Sequence, residues 1–263
     1  MKKMVFTALV GMTLIAPEAA AQDSAKPRPE PLGMFIRLEP VWSSMTTSTP
    51  GQETTPTSKG FSAALTIDTT PWRRMSAEWR MHMSINGSSS IEIPDYVGGL
   101  LPAHEIKARF HPFSAMNIGL GYTFLGAVHD FGPEVSIFGN LTHNQTRMFY
   151  GGANLSTGYT GTIRDRVRIT GSVSALPRMT RSAQATLYSP VPEGVLVDQS
   201  SRNTTSSGWG LNVAGSIRVT KSMHVSGSYR QYRLTSEMPD SSAKERMKWN
   251  ALSFGLTFGT KFD

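Results

Sequence analysis

The chain has 263 residues, with 26 Lys and Arg against 19 Asp and Glu and a formal net charge of +7. It contains no Cys, which excludes disulfide staples, thiol nucleophiles and thiolate metal ligands. The basic residues are scattered rather than clustered with aromatics on one face, so nucleic acid is not an expected partner.

Residues 1–21 read as a secretory signal. Lys2 and Lys3 supply positive charge, Met4 to Ala16 is an apolar run, Pro17 breaks it, and Ala19-Ala20-Ala21 offers a small-residue cleavage site before Gln22. The run is shorter than the roughly 20 apolar residues a spanning helix needs. Residues 22–33 (Q-D-S-A-K-P-R-P-E-P-L-G) are polar and Pro-rich. They read as an extended tail, since no P-x-x-P register repeats.

From residue 34 onward the chain alternates. Met75, Ala77, Trp79, Met81, Met83 and Ile85 are apolar, whereas Ser76, Glu78, Arg80, His82, Ser84 and Asn86 between them are polar. Period two means a strand with two different faces. The same pattern predicts ten strands near 34–45, 60–70, 74–86, 104–111, 115–125, 148–162, 166–177, 207–219, 222–234 and 248–262. Tight connections follow Thr70, His111, Ile163 and Thr220. The others, at 46–60, 87–103, 126–147, 178–207 and 235–248, are long and polar. Strands near 134–142 and 181–188 would raise the count to twelve; two loop hairpins among the ten would lower it to eight. No further apolar run is long enough to cross a bilayer as a helix.

An alternating strand can turn its apolar face to a protein core or to lipid. Sorting of connections into short at one end and long at the other is the habit of transmembrane barrels. The residues 34–263 are therefore expected to form an all-β, antiparallel transmembrane β-barrel of about ten strands, with short periplasmic turns and long extracellular loops. The terminal stretch Leu252-Ser-Phe-Gly-Leu-Thr-Phe-Gly-Thr-Lys-Phe262 resembles the C-terminal aromatic signature of bacterial outer-membrane β-barrel proteins, with Asp263 added after the aromatic. That resemblance implies recognition by barrel-insertion machinery through the strand ending at Phe262. It also implies a place in the cell outer membrane among its lipids and lipopolysaccharide.

On this reading the polar faces line a narrow lumen. Small residues such as Gly119, Gly121, Ser226, Ser228, Ser253 and Gly255 leave it room. Arg37, Asp68, Glu78, Arg80, Glu105, Lys107 and Arg109 are expected to pair across it as a charge network. Trp42, Trp72, Tyr122, Trp209, Tyr229 and Trp249 are expected near strand ends, where amphipathic rings favour the membrane interface. Met75, Met81, Met83, Met116 and Met223 fall on the lipid-facing register.

Two H-x-S pairs, His82-Ser84 and His224-Ser226, put a base and a hydroxyl on one strand face. They look like the pair of outer-membrane phospholipases and lipid A deacylases, in which an Asn follows the Ser; here Ile85 and Gly227 follow. The resemblance implies a lipid or ester hydrolase using His82 as base and Ser84 as nucleophile, held as an alternative. His129-Asp130, Asp198 and Asp240 are raw material for an outer-membrane protease but lack its spacing. The six His are scattered, so neither a metal nor a cofactor is expected. The leading expectation is a non-enzymatic barrel, either a narrow channel or a structural and surface-interaction protein. A further alternative is an adhesin or partner scaffold using the Ser/Thr-rich stretches 46–60 and 190–207.

Overall fold

The computed structural model describes residues 33–48, 57–72, 74–89, 96–113, 115–135, 141–163, 166–190, 193–220, 222–237 and 243–261. Residues 1–32, where the signal and most of the Pro-rich stretch are expected, and Phe262 lie outside the described residues. The strands are β1 (Gly33–Ser48), β2 (Thr57–Trp72), β3 (Met75–Ser89), β4 (Tyr96–Leu100), β5 (Ala103–Phe110), β6 (Met116–Val135), β7 (Leu141–Ile163), β8 (Val167–Pro190), β9 (Glu193–Arg218), β10 (Met223–Glu237) and β11 (Lys244–Lys261).

Every pairing is antiparallel, and the sheet closes on itself. β5 pairs with β3, then β2, β1, β11, β10, β9, β8 and β7 follow, and β6 joins β7 to β5. Short β4 pairs with β6 directly above β5, so β4 and β5 form one stave interrupted at Leu101-Pro102. Pro102 has no N–H to give, yet its carbonyl still accepts from Gly126 N at 2.8 Å, and the stave stays on the wall. The result is a ten-stave barrel without an open edge.

The outward faces are apolar. Leu120, Leu38 and Phe254 are 62%, 55% and 53% exposed, with Ile106, Ile118, Val213 and Leu252 beside them. The inward residues at these levels include Thr66, Ser226, Ser228, Ser253, Glu78, Arg80 and Lys107, all buried. A water-soluble fold does not expose a continuous apolar girdle over polar insides. Hydrocarbon solvates this one, and the chain is a transmembrane β-barrel of the outer-membrane type.

Four wall strands run far past the girdle. β6, β7, β8 and β9 have 20, 23, 24 and 26 residues, against about ten for a tilted crossing. The expected loops 126–147 and 178–206 are thus mostly paired strand, and the ten-stave count stands. Above the bilayer both faces can meet water, so backbone pairing continues while the apolar alternation that betrays a strand disappears.

Where an inward apolar face does persist above the girdle, the pattern inverts. On β11, Leu252, Phe254 and Leu256 point out and Ser253 and Thr257 point in. A few residues higher, Lys244, Arg246 and Lys248 point out, while Met247, Trp249 and Ala251 are buried inside. β10 does the same, with Tyr232 and Leu234 inside and Arg233 outside. The barrel therefore has two storeys. The lower stands in lipid around a polar interior, and the upper stands in water around an apolar core of Met45, Leu125, Tyr150, Met179, Leu234, Met247 and Trp249. Trp249, expected in the interfacial belt, belongs to that core at 1% exposure. It shares strand parity with Ser253, whereas Trp42, Tyr122 and Tyr229 keep the outward parity expected of them. A bulge on β8, where Leu176 pairs Gly208 but Met179 pairs Ser206, shifts the phase and turns Met179 inward.

Candidate functional site

The lower storey is filled by one charge network, and strand parity builds it. Residues at i and i+2 share a face, so Glu78, Arg80 and His82 of β3 and Glu105, Lys107 and Arg109 of β5 all enter the lumen. The register sets Glu78 opposite Lys107 and Arg80 opposite Glu105. Glycines make the space: a Cβ on Gly121 would lie 2.7 Å from Lys107 Cγ, and one on Gly255 the same distance from Glu39 Cγ. Both side chains fold down onto bare backbone.

All seven expected members are brought together. Arg109 Nη2 donates to Glu78 Oε2 at 2.7 Å, and its Nη1 lies 3.6 Å from Asp68. Arg37 Nη2 reaches Asp68 Oδ2 at 3.5 Å. Lys107 Nζ lies 2.6 Å from Glu105 Oε1. Arg80 Nη2 lies 3.1 Å from Glu39 Oε2, and Glu39 Oε1 accepts from Ser253 Oγ at 2.9 Å.

Two central members were not in the expected set. Arg230 of β10 crosses the lumen to donate to Glu105 Oε2 through Nη1 and to reach Glu78 Oε1 through Nη2. Glu39 of β1 answers Arg80. Both were legible by parity, since Arg230 continues Ser226 and Ser228, and Glu39 continues Arg37. Pairing distance in sequence hid them: Arg230 and Glu105 are 125 residues apart. Glu105 is the hub, and it also accepts from Tyr232 Oη at 2.6 Å and Asn154 Nδ2 at 3.2 Å.

The roof of this layer is aromatic. Trp249 stands 5.8 Å from His82 and 5.8 Å from Tyr232, centroid to centroid. Higher still, Glu245 accepts from Arg181 Nη2 at 2.8 Å and from Tyr150 Oη at 3.0 Å. The charge network expected across the lumen fills its lower storey only; the upper storey, against the expectation of a polar lumen, is closed by hydrocarbon. Pairing removes the cost of burying each charge only where partners converge. Above the bilayer an apolar core is favoured, as in any soluble barrel.

The hydrolase pair fares differently. His82 does face the lumen, but its Nε2 accepts a hydrogen bond from Arg80 Nε at 2.7 Å, and its ring lies under Trp249. The side chain of Ser84 lies outside the described residues; its backbone pairs with Ser62, next to a bulge. Ser226 Oγ is engaged with Gly255 O and Thr257 Oγ1, both at 3.3 Å. The side chains of His129, Asp130, Asp198 and Trp72, and the whole of Asp240, lie outside the described residues.

No protein-family model and no curated protein matches the sequence. Solved structures similar in fold include the outer membrane protease OmpT of Escherichia coli, at 10% identity and TM-score 0.48, covering 90% of this chain and 99% of that one. The translocator domain of the autotransporter NalP of Neisseria meningitidis has 7% identity and TM-score 0.48, covering 97% and 96%. The toluene transporter TbuX of Ralstonia pickettii has 10% identity and TM-score 0.35, covering 88% and 90%. These likenesses are of fold alone, and their bearers differ in what they do.

Proposed function

We propose that this outer-membrane barrel is a sealed structural scaffold that presents its tall outer hairpins at the cell surface, and that it is not an enzyme. One observation carries the reading: the lumen is closed twice over, by the Glu39–Arg80 and Glu78–Arg109–Arg230–Glu105 pairs and by the Trp249 layer above them. A solute would have to break buried ion pairs and open an apolar core in the same passage. The wall that stands above lipid is built like a soluble domain, which suits a surface meant to meet other molecules. Its partners on this reading are outer-membrane lipid and lipopolysaccharide, together with the insertion machinery that engages the terminal strand.

The engaged state of His82 argues against its acting as a base. A hydrolytic base needs its ring nitrogen free to take a proton from the nucleophile. The test is planar-bilayer recording with the purified, refolded full chain. No discrete conductance steps are expected. Reproducible steps from the wild-type protein would replace the scaffold with a channel, and fatty-acid release from phospholipid would replace it with an enzyme.

A further inference from the structure

A cavity of 10 Å³ remains at the seam between the two storeys, lined by Arg80, His82, Glu105, Tyr232 and Trp249 among others. That is room for about one water-sized particle. Arg230 Nε on the same lining has no hydrogen-bond partner among the described residues, and neither have three further nitrogens, Arg80 Nη1, His82 Nδ1 and Trp249 Nε1. The residues of these three are 0%, 3% and 1% exposed. Because His82 Nε2 accepts from Arg80, the imidazole proton sits on Nδ1. These three are therefore all donors, and buried donors without partners are rare.

Glu105 is the one carboxylate of the lining; Glu39 Oε2, which also has no hydrogen-bond partner among the described residues, lies 3.1 Å from Arg80 Nη2 but outside that lining. The Glu105 oxygens are already engaged by Lys107, Arg230, Tyr232 and Asn154. The layer also carries more positive than negative charge: Arg37, Arg80, Lys107, Arg109 and Arg230 face Glu39, Asp68, Glu78 and Glu105. Among these nine groups one positive charge is left over. A water molecule accepts only two hydrogen bonds and would turn its own hydrogens toward donors. A monatomic anion accepts from all three and cancels the surplus charge. Sulfate, phosphate and carboxylates are too large for the space.

We propose that the seam holds one halide ion, chloride in ordinary media, bound by Arg80, His82 and Trp249. The ion ties the floor of the upper core to the roof of the charge layer. The test is to refold the full chain in bromide and crystallise it. One anomalous peak in the cavity, in contact with Arg80 Nη1 and Trp249 Nε1, is expected; a water or an empty cavity there overturns the proposal. In detergent, replacing gluconate by chloride at constant ionic strength is expected to raise the unfolding midpoint by about 3 °C. Trp249→Phe keeps the ring but removes the donor, so this chloride increment is expected to shrink at least twofold. An increment equal in wild type and variant counts against the site, whatever the variant's own midpoint.

Discussion

Arg80 and His82, two residues apart on one strand, are bonded to each other: the guanidinium Nε donates to the imidazole Nε2 at 2.7 Å. The guanidinium also lies against Glu39 at 3.1 Å, so it cannot swing away without taking from a buried carboxylate its nearest cation. The histidine is thereby part of the packing of the lumen. Purified protein is expected to release no fatty acid from phospholipid vesicles, and Ser84→Ala is expected to match wild type in folding and in that assay. Release by the wild type that is lost in Ser84→Ala would restore the hydrolase.

Glu105 holds two cations and a phenol at once. Glu105→Gln keeps the shape but strands Lys107 and Arg230 without their shared charge. Breaking one partner of a buried pair costs about 3–5 kcal/mol. The urea midpoint of the refolded variant is expected to fall accordingly, and adding Lys107→Gln is expected to recover part of the loss. An unchanged midpoint in Glu105→Gln would mean that the network is not what stabilises the lower storey.

Gly121 and Gly171 make a contrast within one barrel. A Cβ on Gly121 would stand 2.1 Å from Ile106 O, whereas one on Gly171 meets nothing within 4 Å. Gly121→Ala is expected to destabilise by about 1–3 kcal/mol, as overpacking does. Gly171→Ala is expected to be neutral, or stabilising by up to about 1 kcal/mol through the unfolded chain. The check is paired equilibrium unfolding in the same bilayer or detergent.

Leu120 points outward and is 62% exposed. In water, Leu120→Arg would change stability by no more than about 0.5 kcal/mol. In hydrocarbon the same change costs about 2–4 kcal/mol near the midplane. Unfolding from phospholipid bilayers is expected to show the larger loss. A neutral result would mean that lipid does not touch this face.

Much of the lower storey was legible in the chain. Met75 to His82 and Leu252 to Phe258 alternate without a break, because lipid and a wet lumen demand opposite polarities of adjacent residues. The seven expected lumen charges met for the same reason. The upper storey was not legible as strand. Residues 141–147 and 199–206 carry Thr, Ser, Asn and Gln with no apolar beat, and only hydrogen bonding to a neighbouring strand keeps them extended.

Period and parity, then, belong to the sequence: which side chains share one face of a strand and which share the other. Those follow from local geometry, since two neighbours on a strand always point opposite ways. Closure, the partners of Arg230 and Glu39, the inward turn of Met179 and the seating of Trp249 over His82 belong to the folded barrel. They depend on register between strands far apart in the chain and on where the bilayer ends. Above that boundary water changes sides, and the same alternation acquires the opposite meaning.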